Sequence, residues 1–440
     1  MTRTLIRQVR LINPPDPVDR IVDVLVVKGV VQAITPSLHH SDSTGQERDS
    51  TGTTTESTTT EIIEATDWVL GPGLVDLYSQ SGEPGHESRE TLKSLEQAAL
   101  AGGFTRVGVL PNTHPPLDDA AQITSLCSHT QLRPWGAITL GLRGEQLTDL
   151  AELAEAGVVG FTEGAPITNP ALLRRLLEYA RPLQRPIALW PCDRTLAGHG
   201  TVREGTDSMR LGYPGSPTLS ETAPLAALLE YVAALNTPIH VMRVSTARSV
   251  ELLREAKARG LPVTASVPWL HLMFTTQDLV TYDPNLRLEP PLGCPGDQQA
   301  LLSGLEDGTL DAIAIDHTAY TYEEKTVAFG NAPPGAIGLE LALPILWQTF
   351  VATQRWQPHQ LWQYLSLQSA QCLKLDPPTV QVGQPAEMVL FNPKQTWTVS
   401  SSTLQSLSTN TPWLNQTIQG QIERTWIPNL THPGDSAAKI

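Results

Sequence analysis

The feature that most constrains this chain is an alternation of short apolar runs with longer amphipathic ones. RETLKSLEQAALAGG precedes FTRVGVLPN, LTDLAELAEAG precedes VVGFTEG, and NPALLRRLLEYARPLQ precedes PIALW. The pattern continues with TLSETAPLAALLEYVAALN before PIHVMRV, ARSVELLREAKARG before LPVTASV, and DQQALLSGLEDG before LDAIAID. Strands buried on both faces read as unbroken apolar runs, and each needs a crossover helix to return parallel to its predecessor. So many units favour an α/β fold closed into a (β/α)8 barrel, over about 68–370, rather than an open sheet.

The two ends read differently. Residues 4–35, TLIRQVRLINPPDPVDRIVDVLVVKGVVQAIT, alternate apolar and polar positions between the turn-forming NPPD and KG. This predicts short antiparallel strands. The late stretch VQVGQPAEMVLFNP has the same character, so residues 1–67 and 371–440 are expected to build one small discontinuous β domain. Between the first strands and the barrel, about 39–60, HHSDSTGQERDSTGTTTESTTT is too polar to bury a face and reads as a disordered surface insertion.

Composition narrows the partners. The chain of 440 residues has 45 acidic and 30 basic side chains, a formal charge of -15, and no Lys/Arg run to follow a phosphate backbone. Nucleic acid is therefore not an expected partner. The four cysteines, Cys127, Cys192, Cys294 and Cys372, are far apart and form no C-x-x-C pair. With no stretch of about 18 apolar residues and no signal-peptide-like run in MTRTLIRQVRLINPPD, the expectation is a cytoplasmic protein that does not enter a membrane.

In a barrel, chemistry gathers where each strand meets its following loop. The successive ends are Tyr78 to Gln80, Pro111 to Thr113, Thr162-Glu163, Trp190-Pro191, Met242-Arg243, Pro268 to His271, and Asp316-His317. Asp316 is the strongest chemical signal, as a proton acceptor or metal ligand; the alternative is a capped turn beside a hydrogen-bonded His317. Glu163 reads as a bridging carboxylate, or as a cap or ion-pair partner. His240 and His271 read as ligands or as satisfied core histidines. Asn112 offers an amide to a ligand or to its own loop. Arg243 places a cation where a metal would want a donor, so it either binds an anion or pairs with Glu163 or Asp316. Trp190 fills space, and Cys192 has no evident partner to activate it. These side chains do not add up to a convincing binuclear metal site.

Several segments together resemble the dihydroorotase branch of the amidohydrolase superfamily. They are PGLVDL at 72–77, EPGHESRETLKS at 83–94, AALAGGFTRVGVLPNTHP at 98–115, STARSVELLREAKARGLPVTASV at 245–267, PPL at 290–292, GLEDGTLDAIAIDH at 304–317 and EEKTVAFGNAPPGAIGLE at 323–340. The resemblance covers nearly the whole chain apart from 39–60, and implies a metal-dependent barrel with a flanking β domain that interconverts N-carbamoyl-L-aspartate and dihydroorotate. It also implies a ligand set that this chain lacks. Tyr78 and Gln80 stand at the family's His-x-His pair, Trp190 and Arg243 at two further metal histidines, and Gly82 at a substrate arginine. Tyr320 replaces a substrate-side histidine, Glu289 an asparagine and Gly293 an arginine, while Asn112 and Asp316 match substrate-binding and catalytic positions, and Glu163 aligns with a metal-bridging carboxylate.

The chain thus resembles the catalytically inactive members. That implies a dihydroorotase-like structural partner of aspartate transcarbamoylase, with no cofactor expected and homo-oligomerisation open. The alternatives are an active dihydroorotase or related cyclic amidohydrolase, which would need zinc at Glu163 and Asp316, and a dicarboxylate-binding module using Asn112 and Arg243.

Overall fold

The alternating pattern is realised as eight parallel strands. A computed structural model describes residues 3–14, 16–37, 60–428 and 438–439. The segment expected to be a disordered insertion lies outside the described residues, except for Thr60, which opens a strand.

The chain starts with three antiparallel strands, β1 (Arg3–Asn13), β2 (Asp16–Val27) and β3 (Val30–Pro36). Lys28 and Gly29 form the two-residue turn between β2 and β3, both at positive φ (52° and 73°), so that Val27 pairs with Val30. A two-residue turn of that hand matches the twist of the strands it joins, which is why the KG pair is a hairpin signal. β4 (Thr60–Glu64) and β5 (Val69–Pro72) lie parallel to β1.

The barrel strands follow: β6 (Leu74–Ser79), β7 (Phe104–Val109), β8 (Leu132–Ala137), β9 (Gly160–Thr162), β10 (Ile187–Leu189), β11 (Ile239–Val241), β12 (Val263–Pro268) and β13 (Ala312–Ala314). Each is bonded to its sequence neighbour in order, the arrangement of a barrel built from successive β–α units. β14 (Met388–Thr398) and β15 (Thr417–Trp426) then return to the first sheet, where β14 pairs antiparallel with β5. Both chain ends therefore share one sheet.

The barrel closes between its first and last strands through a polar seam. The Asp316 amide donates to the Tyr78 carbonyl at 3.1 Å, and the Gln80 amide to the His317 carbonyl at 2.8 Å. Asp76, fully buried, accepts from the Ile315 amide at 2.8 Å and from Ser79 Oγ at 2.6 Å, while Ser79 Oγ accepts from the His317 amide at 3.0 Å. These bonds fix the ends of β6 and β13 side by side.

Helices are seated by local signals. Asn169 caps Pro170–Ala180, accepting from the amides of Ala171 and Leu172, with Pro170 in the first turn where its missing N–H is harmless. Leu176 and Leu177 of that helix, Leu228 and Leu253 join strand residues such as Phe104, Phe161 and Val267 in the largest apolar cluster. A second cluster, including Val75, Leu77, Trp135, Ala188, Met242 and Ala312 of the strands and their ends, is joined by Ala370 and Cys372 of the helix Gln368–Cys372.

One piece of architecture goes beyond the β–α alternation. Between β10 and the helix Leu219–Leu235 runs an excursion with two short helices, Arg194–Ala197 and Thr206–Leu211, and a two-stranded ladder of Val202–Arg203 with Gly215–Ser216. Its GYPGSP segment packs at the barrel rim, with Tyr213 against Tyr282 and Phe329 at centroid distances of 5.7 and 5.1 Å. Among the described residues no helix is long and apolar enough to cross a membrane.

Candidate functional site

The carboxyl ends of the strands surround a cavity of about 250 Å³, lined in part by Gln80, Asn112, Glu163, Trp190, Arg243 and Asp316. Strand-end reasoning therefore gathers the intended side chains at one mouth. Their partners decide what they can do.

Arg243 and Asp316 bond to each other. Arg243 Nε donates to Asp316 Oδ2 at 2.8 Å and Nη2 to Oδ1 at 2.7 Å, in the parallel geometry that a guanidinium and a carboxylate favour. The pair is nearly dry, with side chains 6% and 14% exposed. Of the two partners expected for Arg243, the structure selects Asp316. Although burial opposes the charge, the carboxylate beside it holds the Arg243 pKa above its ordinary value.

Aromatic rings complete this arrangement. The Arg243 guanidinium lies 4.9 Å from the Trp190 ring centroid and 6.0 Å from that of Tyr78, and Arg194 sits 5.4 Å from the same indole. Arg194 in turn bonds Glu289 at 2.9 Å. Strand-end reasoning does not reach Arg194, which lies four residues beyond Trp190 in the excursion; the only sequence cue is a cation available to Glu289.

Tyr78 is fully buried, with its hydroxyl 3.1 Å from Ser266 Oγ and accepting from the Arg243 amide at 3.1 Å. Burial pushes its phenol well above the ordinary range, so it stays protonated. Gln80 and Asn112 line the cavity, and among the described residues neither side chain makes a hydrogen bond.

The remaining titratable candidates are occupied. Glu163 accepts from the Thr139 amide at 3.0 Å and from Thr139 Oγ1, and burial raises its pKa. Among the described residues it makes no ion pair. His240 is held by Thr264 Oγ1 and Ser266 Oγ, each at 2.9 Å, and burial pushes its pKa down to about 3. His271 Nε2 lies 3.0 Å from the Pro290 carbonyl and burial lowers its pKa to about 4, leaving a neutral ring whose Nδ1 lacks a partner. His317 Nδ1 accepts from the amides of Gly338 and Leu339 at 3.2 and 3.4 Å, which places the proton on Nε2, 3.3 Å from Glu90.

Three of the replacements are built into their surroundings. A Cβ on Gly82 would lie 2.5 Å from the His86 carbonyl oxygen, and one on Gly293 would lie 2.5 Å from Asp297 Cβ. Tyr320 donates to the Pro334 carbonyl at 3.2 Å and carries Arg89 and Lys325 near its ring. Cys192 sits beside the strand end with its thiol pushed up to about 11, chiefly by burial, which removes the thiolate a nucleophile needs.

A pair of zinc ions needs several deprotonated imidazoles and carboxylates converging on one point. Here Asp316 is neutralised by Arg243, Glu163 is bonded to Thr139, and each histidine has its own structural partner. Among the described residues no group of three or more His, Cys, Asp or Glu is placed to hold a metal ion. The donor set does not fit the metal centre that the resemblance implies.

Comparison with known proteins gives the lineage. Residues 67–249 match the family described as "Dihydro-orotase-like". The chain is 44% identical over 396 residues to the "Probable dihydroorotase-like protein" of Synechocystis sp., covering 82% of this chain and 88% of the relative. It is 35% identical over 429 residues to the dihydroorotase of Pelobacter propionicus, covering 94% and 96%. Among solved structures, the L-hydantoinase (dihydropyrimidinase) of Arthrobacter aurescens superposes with a TM-score of 0.80 over 100% of this chain and 98% of that one, at 20% identity. The last comparison speaks for the fold alone.

Proposed function

The chain belongs to the dihydroorotase-like family of the amidohydrolase superfamily, and on that premise we propose that it is a non-catalytic member serving pyrimidine biosynthesis as a structural partner. The observation carrying this reading is the Arg243–Asp316 pair. A carboxylate that would bind metal or take a proton must be free to do so, and here both oxygens are engaged by a fixed cation. Glu289 at the rim is already paired with Arg194, so that neither the acid nor this arginine is free to receive a dicarboxylic substrate.

The partner that the family resemblance suggests is aspartate transcarbamoylase. The barrel keeps its closure and core while its strand ends have changed, the pattern expected where the fold is needed for its surfaces. Copurification of the full chain with aspartate transcarbamoylase is the first test. A complex of defined stoichiometry supports the scaffold role, and two independent species in size-exclusion chromatography count against it.

A second reading is an active dihydroorotase or related cyclic amidohydrolase. It is favoured by the identity to proteins bearing that name and by Asn112 at the cavity. Purified protein with near-stoichiometric zinc and ordinary turnover of dihydroorotate would establish it and overturn the first. Saturable stabilisation by N-carbamoyl-L-aspartate without turnover would instead favour a dicarboxylate-binding module, for which Arg243 would have to leave Asp316.

A further inference from the structure

Beside the barrel mouth lies a second cavity of about 340 Å³, walled by the excursion and by residues 287 and 289–291. Trp190, Arg194 and Glu289 line both cavities, so the indole and this ion pair form the partition between them. The second cavity differs in charge: Arg194, Arg203 and Arg287 line it against only Glu221 and Glu289, an excess of one cation in a chain of net charge -15.

The cations are incompletely matched. Arg203 is 3% exposed, and its Nη2 donates to Ser245 Oγ at 2.7 Å and to the Pro291 carbonyl at 3.4 Å. It reaches Glu221 only at 3.7 Å, because that carboxylate already accepts from the Ser245 amide and from the hydroxyls of Ser245 and Thr246. Arg287 donates from Nη1 to the Leu288 carbonyl at 2.8 Å and has no ion pair among the described residues. Among the described residues, the Nε atoms of both arginines and Thr201 Oγ1 are buried without a hydrogen-bond partner. Buried donors and cations left in this state cost free energy that a bound anion would offset. Guanidinium groups are also the side chains best suited to oxyanions.

We propose that this cavity binds a phosphoryl oxyanion, either free phosphate or the phosphate group of a small metabolite, through Arg203, Arg287 and Thr201. Two guanidiniums and a hydroxyl, supplied by the excursion and by the segment around Arg287, suit a tetrahedral group with several terminal oxygens better than a planar carboxylate with two. A water takes about 30 Å³ of liquid volume, so the cavity also has room for a small organic moiety. The site requires no chemistry at the barrel mouth, and its test is independent of whether that mouth is catalytic.

The test is isothermal titration of the full chain with inorganic phosphate and with ribose 5-phosphate, at ionic strength held constant with chloride. Saturable binding of either probe is expected, weakened at least tenfold by Arg287→Gln and by Thr201→Val. Ribose 5-phosphate binding at least tenfold tighter than phosphate identifies a phosphorylated metabolite, and equal or weaker binding identifies the free ion. Thr201→Val removes only a hydroxyl and keeps the test decisive if Arg287→Gln does not fold. No saturable binding of either probe, or unchanged affinity in a folded variant, overturns the proposal.

Discussion

Arg243 and Asp316 meet through two hydrogen bonds, and both have left-handed backbones, with φ of 56° and 50°. Such a conformation is uncommon for a residue with a Cβ and persists when the surroundings over-determine it. The surroundings here are specific: the Arg243 amide donates to the Tyr78 hydroxyl, and the Asp316 amide donates to the Tyr78 carbonyl. One tyrosine thus anchors the backbones of both partners and holds the ion pair in place.

Breaking that pair from one side leaves a buried charge alone. Asp316→Asn and Arg243→Met are each expected to destabilise the protein by about 3 kcal/mol. The double variant is expected to lose no more than either single one, because neither charge then remains. Asn tolerates the left-handed backbone at 316, so the cycle reports on the pair rather than on the turn. Urea unfolding of the four proteins measures it, and additive losses would show that the two residues do not act as a unit.

Imidazoles placed at the end of the first barrel strand are not expected by themselves to build a metal site. In Tyr78→His/Gln80→His, Arg243 still neutralises Asp316 and zinc content is expected to stay far below one ion per chain. The double variant also loses the phenol bonded to Ser266, a loss of about 2 kcal/mol in stability. Adding Arg243→His and Trp190→His frees Asp316 and supplies four imidazoles, and zinc retention after dialysis is then expected to rise. Stoichiometric zinc in the first double variant would refute the role assigned to Arg243.

Legibility in the sequence follows from how local each signal is. Most of the barrel was readable because its β–α units repeat one apolar pattern, whereas β8 (Leu132–Ala137, LRPWGA) carries no such run and was missed; the KG hairpin was readable because two adjacent residues specify the turn. The strand-end positions were readable for the same reason, and they do share one cavity. Who bonds whom was not: Arg243 faced two candidate acids, and the choice of Asp316 depends on barrel closure between β6 and β13 across more than 200 residues. Glu163 was equally ambiguous, because its partner Thr139 follows a different strand. The second cavity had no sequence signature, since its arginines come from the excursion and from a distant loop.

Gly82, which stands where the family resemblance implies a substrate arginine, is expected to resist any side chain. Gly82→Ala would drive a Cβ into the backbone oxygens of Glu90 and His86, and a loss of about 3 kcal/mol is expected from such overpacking. Glu289→Asn is the contrast, because it only releases Arg194, whose side chain is 53% exposed. That change is expected to alter stability by less than about 1 kcal/mol. Thermal unfolding of both variants checks the ordering, and equal losses would contradict the packing argument.

Asp76 and His240 give stability opposite pH dependences. Burial pushes the Asp76 pKa up to about 7, so the folded state holds a proton that the unfolded chain releases at ordinary carboxylate pH. Its contribution is full below about pH 4, is lost as pH rises towards 7, and is constant above that. Burial pushes the His240 pKa down to about 3, so between that value and the ordinary histidine range the unfolded chain holds the extra proton. Its contribution is full above about pH 6.5 and is lost as pH falls. Over pH 4 to 6.5 the two slopes oppose, and the wild-type curve hides both. Asp76→Asn keeps an acceptor for the Ile315 amide and no longer titrates, so wild-type stability minus that of Asp76→Asn is expected to fall with rising pH up to about 7 and then level. Wild type minus His240→Gln is expected to rise up to about pH 6.5 and then level. Each excursion is on the order of a few kcal/mol, since one pKa unit corresponds to about 1.4 kcal/mol. Chemical unfolding at half-unit pH steps resolves both curves, and flat differences would show that these two groups do not titrate out of step with the unfolded chain.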